Sequence, residues 1–118
     1  MKLQKIYSAL LTTDLAAAES WYTKLLGRGP DYRPMETLIQ WDLFAQGGLQ
    51  LATDENLASN GALFLLVGDI AAERQRLRKL GISLGDDIQG DYSTLAQVRD
   101  PDGNQVTVAT PPSPYPPA

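Results

Sequence analysis

RDPDGNQVTVAT, residues Arg99–Thr110, is the stretch that decides the fold. Its first half is turn chemistry: Pro101 presets one backbone angle, and Asp102-Gly103 supplies the positive φ that a tight reversal needs. Its second half alternates as a strand does. Val106 and Val108 fall on one face, Gln105, Thr107 and Ala109 on the other. A turn over Pro101-Asp102-Gly103 would set Asp100 against Asn104, Arg99 against Gln105, Val98 against Val106 and Gln97 against Thr107. The hairpin thus has an apolar face of valines and a polar face of Gln97, Arg99, Gln105 and Thr107.

Working outward, the chain reads as if written twice. KIYSALLTT (5–13) is a strand pattern, Asp14 a helix N-cap, and LAAAESWYTKLL an amphipathic helix that Gly27 ends. About 55 residues later the same order returns. GALFLLVG is the strand, Asp69 the cap, and IAAERQRLRKL the helix, with Ile70, Leu77 and Leu80 inward and Gly81 at its end. LQLAT (49–53) corresponds to VTVAT (106–110), each following a turn, at Gln46-Gly47-Gly48 in the first copy. Meander strands are predicted near 33–39, 39–45 and 48–53, and again near 82–88, 93–99 and 104–110. DENLASNG (54–61) joins the halves. PPSPYPP (111–117) fits neither helix nor central strand and reads as an extended tail.

Composition narrows the function classes. The chain has 118 residues, one domain's worth. It has no cysteine and no histidine. Thiol chemistry, histidine-based triads and imidazole metal sites are therefore excluded, and any base would be a carboxylate, Lys or Tyr. The net charge of −4 disfavours nucleic acid. The cluster Arg74, Arg76, Arg78 and Lys79 reads as a solvated helix face. There is no run of apolar residues long enough to span a bilayer, and the N-terminus enters a strand pattern directly, so a cytoplasmic protein is expected.

TTDLAAAESWYTKLLG, LVGDIAAERQRLRKLGI and RDPDGNQVTVAT together resemble the vicinal oxygen chelate superfamily, the glyoxalase / bleomycin resistance protein / dioxygenase group. The resemblance runs from about residue 3 to 110. It implies an α+β fold of two βαβββ modules, about 1–54 and 61–110, whose curved mixed sheet surrounds a concave cleft, with 111–118 as the Pro-rich tail. It also implies a homodimer. Metal-dependent relatives hold a divalent cation with one side chain from the first and last strand of each module. By resemblance those positions here are Tyr7, Gln50, Ala62 and Thr107. Ala62 has no donor atom, Gln50 and Thr107 offer neutral oxygens, and a phenol ionises only near pH 10. The resemblance therefore carries over the fold, and not the metal chemistry.

Strand parity then predicts what lines the cleft. Taking Gly47-Gly48 as the first-half turn sets Leu43 opposite Ala52 and Ala45 opposite Gln50, with Trp41 on the same face. The predicted ligand-binding lining is Tyr7, Trp41, Leu43, Gln50, Phe64, Leu66, Gln97, Arg99 and Thr107. It joins apolar area to a few orienting polar groups, as a small-molecule pocket does. The expected function is metal-free and cofactor-free sequestration of a small aromatic or amphipathic, cationic ligand, as in bleomycin-resistance-like members, with no catalytic residue. The alternatives are a lyase or isomerase using Tyr7 or a carboxylate, a metal enzyme with displaced ligands such as Asp42, Asp54 or Asp91, and a non-catalytic accessory dimer. No nucleic-acid or membrane partner is expected.

Overall fold

A computed structural model describes residues 1–56 and 60–118. The joining loop expected at 54–61 thus lies partly outside the described residues. The chain divides into two compact units, Met1–Gly61 with Asp100–Asn104, and Ala62–Arg99 with Gln105–Ala118.

The first unit opens with strand β1 (Ile6–Thr12) and helix α1 (Leu15–Leu26), followed by strands β2 (Tyr32–Met35), β3 (Leu38–Phe44) and β4 (Gly47–Thr53). The sheet order is β1-β4-β3-β2, with β1 parallel to β4 and the remaining pairs antiparallel. The Asp14 carboxylate caps α1 by accepting from the Ala17 N–H at 3.1 Å. At the other end Gly27, at φ 78°, donates its N–H to the Thr23 carbonyl. These two caps satisfy backbone groups that the helix itself leaves orphaned. One face of the sheet lies under α1: Leu10, Ile39, Trp41, Leu49 and Leu51 are buried with Ala18, Tyr22 and Leu25 of the helix. Each of the buried Leu and Ile side chains contributes roughly 1.5–3 kcal/mol of apolar burial.

The β3–β4 register differs from the sequence expectation. The turn falls at Ala45-Gln46, and the pairs are Leu38 with Ala52, Gln40 with Gln50, Trp41 with Leu49 and Phe44 with Gly47. The register shifts between Trp41 and Phe44. The glycine pair lies inside β4, not at the reversal, because it is needed for close approach. A Cβ on Gly48 would stand 1.9 Å from the Trp41 carbonyl oxygen, and one on Gly47 1.6 Å from that of Ile6.

The second unit comprises β5 (Ala62–Leu66), α2 (Ile70–Lys79), β6 (Ile88–Gln89), β7 (Thr94–Arg99) and β8 (Gln105–Ala109), in sheet order β5-β8-β7-β6. The Asp69 carboxylate caps α2 through the Ala72 N–H. At its C-terminus the Ile82 N–H reaches the Leu77 carbonyl and the Gly81 N–H that of Arg78, with Gly81 at φ 85°, a Schellman ending. Leu63, Val106, Val108 and Ala96 are buried, as are Ile70 and Leu77 of the helix. Leu80, expected inward, is 41% exposed, because the helix closes at Lys79 and the chain leaves the helical period there.

The strand expected at 82–88 shrinks to Ile88–Gln89. Ile82 and Leu84 are buried, but the segment meets β7 through the Gly85 N–H on the Gln97 carbonyl, and Arg74 draws Gly85 and Asp87 toward the helix. Apolar alternation there reflects burial without a ladder. The hairpin of β7 and β8 has the expected register: Arg99 with Gln105, Val98 with Val106, and Gln97 with Thr107. The Pro-rich tail lies on this unit. Ser113 donates its N–H to the Tyr92 carbonyl, and the Tyr115 ring meets that of Tyr92 edge-on at 5.1 Å.

The duplication is visible in the registers. Ala9 pairs with Gln50 across β1 and β4, and Phe64 with Thr107 across β5 and β8. Gln40 pairs with Gln50, and Gln97 with Thr107. Each unit is the same strand–helix–meander with the same cross-strand partners.

Candidate functional site

In the first unit, the sheet face away from α1 carries a connected polar cluster. Tyr7 from β1 donates its hydroxyl to Asp42 Oδ1 at 2.8 Å. Gln40 Nε2 donates to the same oxygen at 2.9 Å and to the Tyr7 hydroxyl at 3.2 Å. Gln50 Nε2 donates to Gln40 Oε1 at 2.8 Å. Alternation puts these side chains together: Gln40 and Asp42 are two apart on β3, and Gln50 faces Gln40 across the pair. All are half-buried. The Asp42 carboxyl is held below the usual range, first by the Tyr7 hydroxyl and then by Gln40, Lys5 and Arg28, against partial desolvation. The same bond raises the Tyr7 phenol above its ordinary value, so Tyr7 stays protonated at neutral pH and is a poor general base.

One lining residue expected here sits elsewhere. Trp41 is fully buried on the α1 side, 6.5 Å from the Tyr22 ring, with its Nε1 donating to the Arg28 carbonyl. The misplaced turn inverts its face: the expected register pairs Leu43 with Ala52 where Leu38 stands, and an odd offset reverses every side chain. Leu43 lies in the segment where the β3 register shifts, half-buried beside Asp42.

In the second unit, Gln97 Nε2 donates to Thr107 Oγ1 at 3.2 Å. Gln97, Val98, Arg99 and Gln105 line a shallow cavity of about 230 Å³. Phe64 and Leu66 are exposed at 55% and 58%, on the β5 face opposite buried Leu63. Five expected residues, Phe64, Leu66, Gln97, Arg99 and Thr107, therefore share one sheet face.

Sequence reading missed a buried network in the first unit. The Tyr22 hydroxyl donates to Asp100 Oδ2 at 2.7 Å. Asn104 Nδ2 donates to the same oxygen at 2.7 Å and to the Leu11 carbonyl, while its Oδ1 accepts from the Gly61 N–H. Asp102 accepts from both the backbone N–H and the hydroxyl of Thr13. Burial foremost, then the Asp100 bond, pushes the Tyr22 phenol far up. The turn that looked like hairpin chemistry is thus also a plug. Its carboxylates are engaged by Tyr22, Asn104 and Thr13.

The donor set does not fit a divalent metal. Tyr7 is committed as a donor to Asp42, Ala62 offers nothing, and Gln50 and Thr107 are neutral. Among the described residues no three His, Cys, Asp or Glu side chains converge. Among the same residues no helix is long and apolar enough to cross a membrane.

The paired strand–helix–meander units and a matching family model over residues 6–108 settle the kinship. The chain belongs to the glyoxalase/bleomycin resistance protein/dioxygenase superfamily. Several solved members of known fold superpose on this superfamily chain. A glyoxalase / bleomycin resistance protein from Catenulispora acidiphila is 24% identical, with TM-score 0.82, covering 94% of this chain and 100% of its own. Lactoylglutathione lyase from Agrobacterium tumefaciens is 22% identical, with TM-score 0.73, over 89% and 91%. A bleomycin-binding protein solved with bleomycin is 19% identical, with TM-score 0.73, over 91% and 98%. At these identities the likeness is one of fold. No curated protein matches the sequence.

Proposed function

We propose that this superfamily member is a metal-free, non-catalytic small-molecule-binding protein. Its ligand, aromatic or amphipathic and cationic in part, would rest on a sheet face away from the helix, either that carrying Tyr7 and Gln50 in the first unit or that carrying Phe64, Leu66, Gln97, Arg99 and Thr107 in the second. The observation that carries the reading is the hydrogen-bonded set Tyr7–Asp42–Gln40–Gln50. By the resemblance, two of its members, Tyr7 and Gln50, stand where metal-dependent relatives would place ligands, and the set already satisfies itself, as the wall of a binding site does and a coordination shell does not. The exposed Phe64 and Leu66 supply apolar area. The net charge of −4 favours a cationic partner. Tyr7 held protonated by Asp42 argues against a lyase or isomerase that would use it as base. A cytoplasmic homodimer completes the proposal, and sedimentation tests the dimer.

The test is calorimetric and NMR titration with a cationic glycopeptide antibiotic and with planar aromatic drugs. Tryptophan emission is a poor reporter, because Trp41 is sealed beneath α1 and Trp21 lies on α1 itself, neither on the sheet face that carries Tyr7 and Gln50. Saturable binding that moves the side-chain amides of Gln50 or Gln97 is expected. Absence of heat, thermal shift and resonance change with every compound would end the binding reading. A stoichiometric transition metal in protein purified without chelator would end the metal-free one.

A further inference from the structure

The two halves place different charges at the same address. Gln40 and Gln97 occupy matching positions opposite Gln50 and Thr107. Two residues further along the strand stands Asp42 in the first half and Arg99 in the second.

Amide orientation in the first half follows from that carboxylate. An ionised carboxylate only accepts hydrogen bonds. Asp42 Oδ1 accepts from Tyr7 at 2.8 Å and from Gln40 at 2.9 Å, so Gln40 must turn its NH₂ toward it. The Gln40 carbonyl oxygen is then the atom facing Gln50, and it accepts from Gln50 Nε2 at 2.8 Å. Gln50 turns its NH₂ end toward Gln40, and its carbonyl oxygen is the end directed away from that partner. Lys5, itself exposed, stands 3.8 Å from the half-buried Asp42 Oδ2. Arg28 lies in range of the carboxylate, and Asp31 accepts from the Asp42 backbone N–H. None of these donates to Gln40 or Gln50 in the bonds described above. In the second half Gln97 Nε2 donates to the Thr107 hydroxyl, a group able to donate or accept.

We infer that Asp42, acting through Gln40, locks Gln50 with its carbonyl oxygen outward and makes the open face of the first unit selective for hydrogen-bond donors, N–H groups above all. The inference rests on the small-molecule reading above. Asp42 and Gln40 are positioning residues, and Gln50 is the contact residue.

Neutron diffraction from deuterated protein reads the orientation without any ligand. Deuterons on Gln50 Nε2 facing Gln40 are expected, and the reverse orientation overturns the inference. Selectivity is read with indole and benzofuran, neutral bicycles of nearly one shape, of which indole alone has an N–H. In the wild type, indole should shift the Gln50 carboxamide resonances with a Kd about fivefold below that of benzofuran, the worth of one net hydrogen bond. Asp42→Asn can present either end to Gln40 and should erase that ratio, although neither probe is charged. Asp42→Glu should restore it, and thermal melts check that each variant is folded. A ratio unchanged in Asp42→Asn, or benzofuran bound as well as indole in the wild type, overturns the inference. If neither probe reaches Gln50 while the neutron map shows the expected orientation, the binding reading of this face has failed and donor selectivity with it, but the amide lock stands.

Discussion

Replacing Tyr22 by Phe tests the buried network at its simplest point. The ring stays in its packing among α1, Trp41 and the sheet, and one hydroxyl is lost. That hydroxyl donates to Asp100 Oδ2 at 2.7 Å, between a residue with no exposure and one 6% exposed. Asp100 keeps three donors, from Asn104 Nδ2 and the backbone N–H groups of Asp102 and Asn104. A hydrogen bond to a charged group is worth roughly 1.5–3 kcal/mol, and the surviving donors put the loss near the lower end, about 1.5–2 kcal/mol. With an unfolding entropy of roughly 2.1 cal/mol/K per residue, that lowers Tm by about 6–8 °C for a chain of this length. A second signature lies in alkali. The Tyr22 phenol is raised in the folded state by burial and by Asp100. A raised folded value contributes stability that is fully present below the unfolded value near pH 10 and is lost as pH climbs past it toward the folded one. The wild type should therefore lose stability above about pH 10, and Tyr22→Phe should lose less of it. Tyr7, also raised, is the control through Tyr7→Phe. Urea melts at neutral pH and above pH 10 measure both effects. A Tm within about 2 °C of wild type, or an unchanged alkaline slope, would refute the reasoning.

Three further outcomes are expected. Gly48→Ala drives a methyl into the Trp41 carbonyl, 1.9 Å away, and should cost about 3 kcal/mol or more of stability in denaturant melts. Asn104→Ala strands the Gly61 N–H and the Leu11 carbonyl and removes one donor from Asp100. It should cost about 3 kcal/mol, with faster amide exchange at Gly61 as its local mark. Tyr7→Phe removes the bond that does most to lower the Asp42 carboxyl, so the Asp42 titration followed by carboxyl ¹³C NMR should move up toward the ordinary value.

The second hairpin was legible because Asp-Pro-Asp-Gly admits one reversal, and valine alternation then fixes every partner. Helix ends were legible for the same local reason, a capping Asp before and a Gly after. The first hairpin misled because Gly47-Gly48 looks like a turn. Those glycines answer a tertiary demand, the closeness of the Trp41 and Ile6 carbonyls, that no local pattern records. One misplaced turn sent Trp41 to the wrong face and hid Gln40 and Asp42 from the predicted lining. The signal that would have found them was in the repeat: Gln40 matches Gln97, and Asp42 matches Arg99. Tyr22–Asp100 joins residues 78 apart in the chain, and hydropathy carries no trace of a hydroxyl meeting a buried carboxylate.

The turn at Asp100–Asn104 has a consequence for how this gene can be divided. It is carried by the second repeat, between β7 and β8, yet it belongs to the compact unit built from the first. A fragment ending at Gly61 would bring Tyr22 with a hydroxyl and no Asp100, and a Leu11 carbonyl and Gly61 N–H with no Asn104. The repeats are therefore not two autonomous copies in tandem. Either half expressed alone should need the other supplied in trans, as complementing fragments, and the sequence constraint on one copy is partly written in the other.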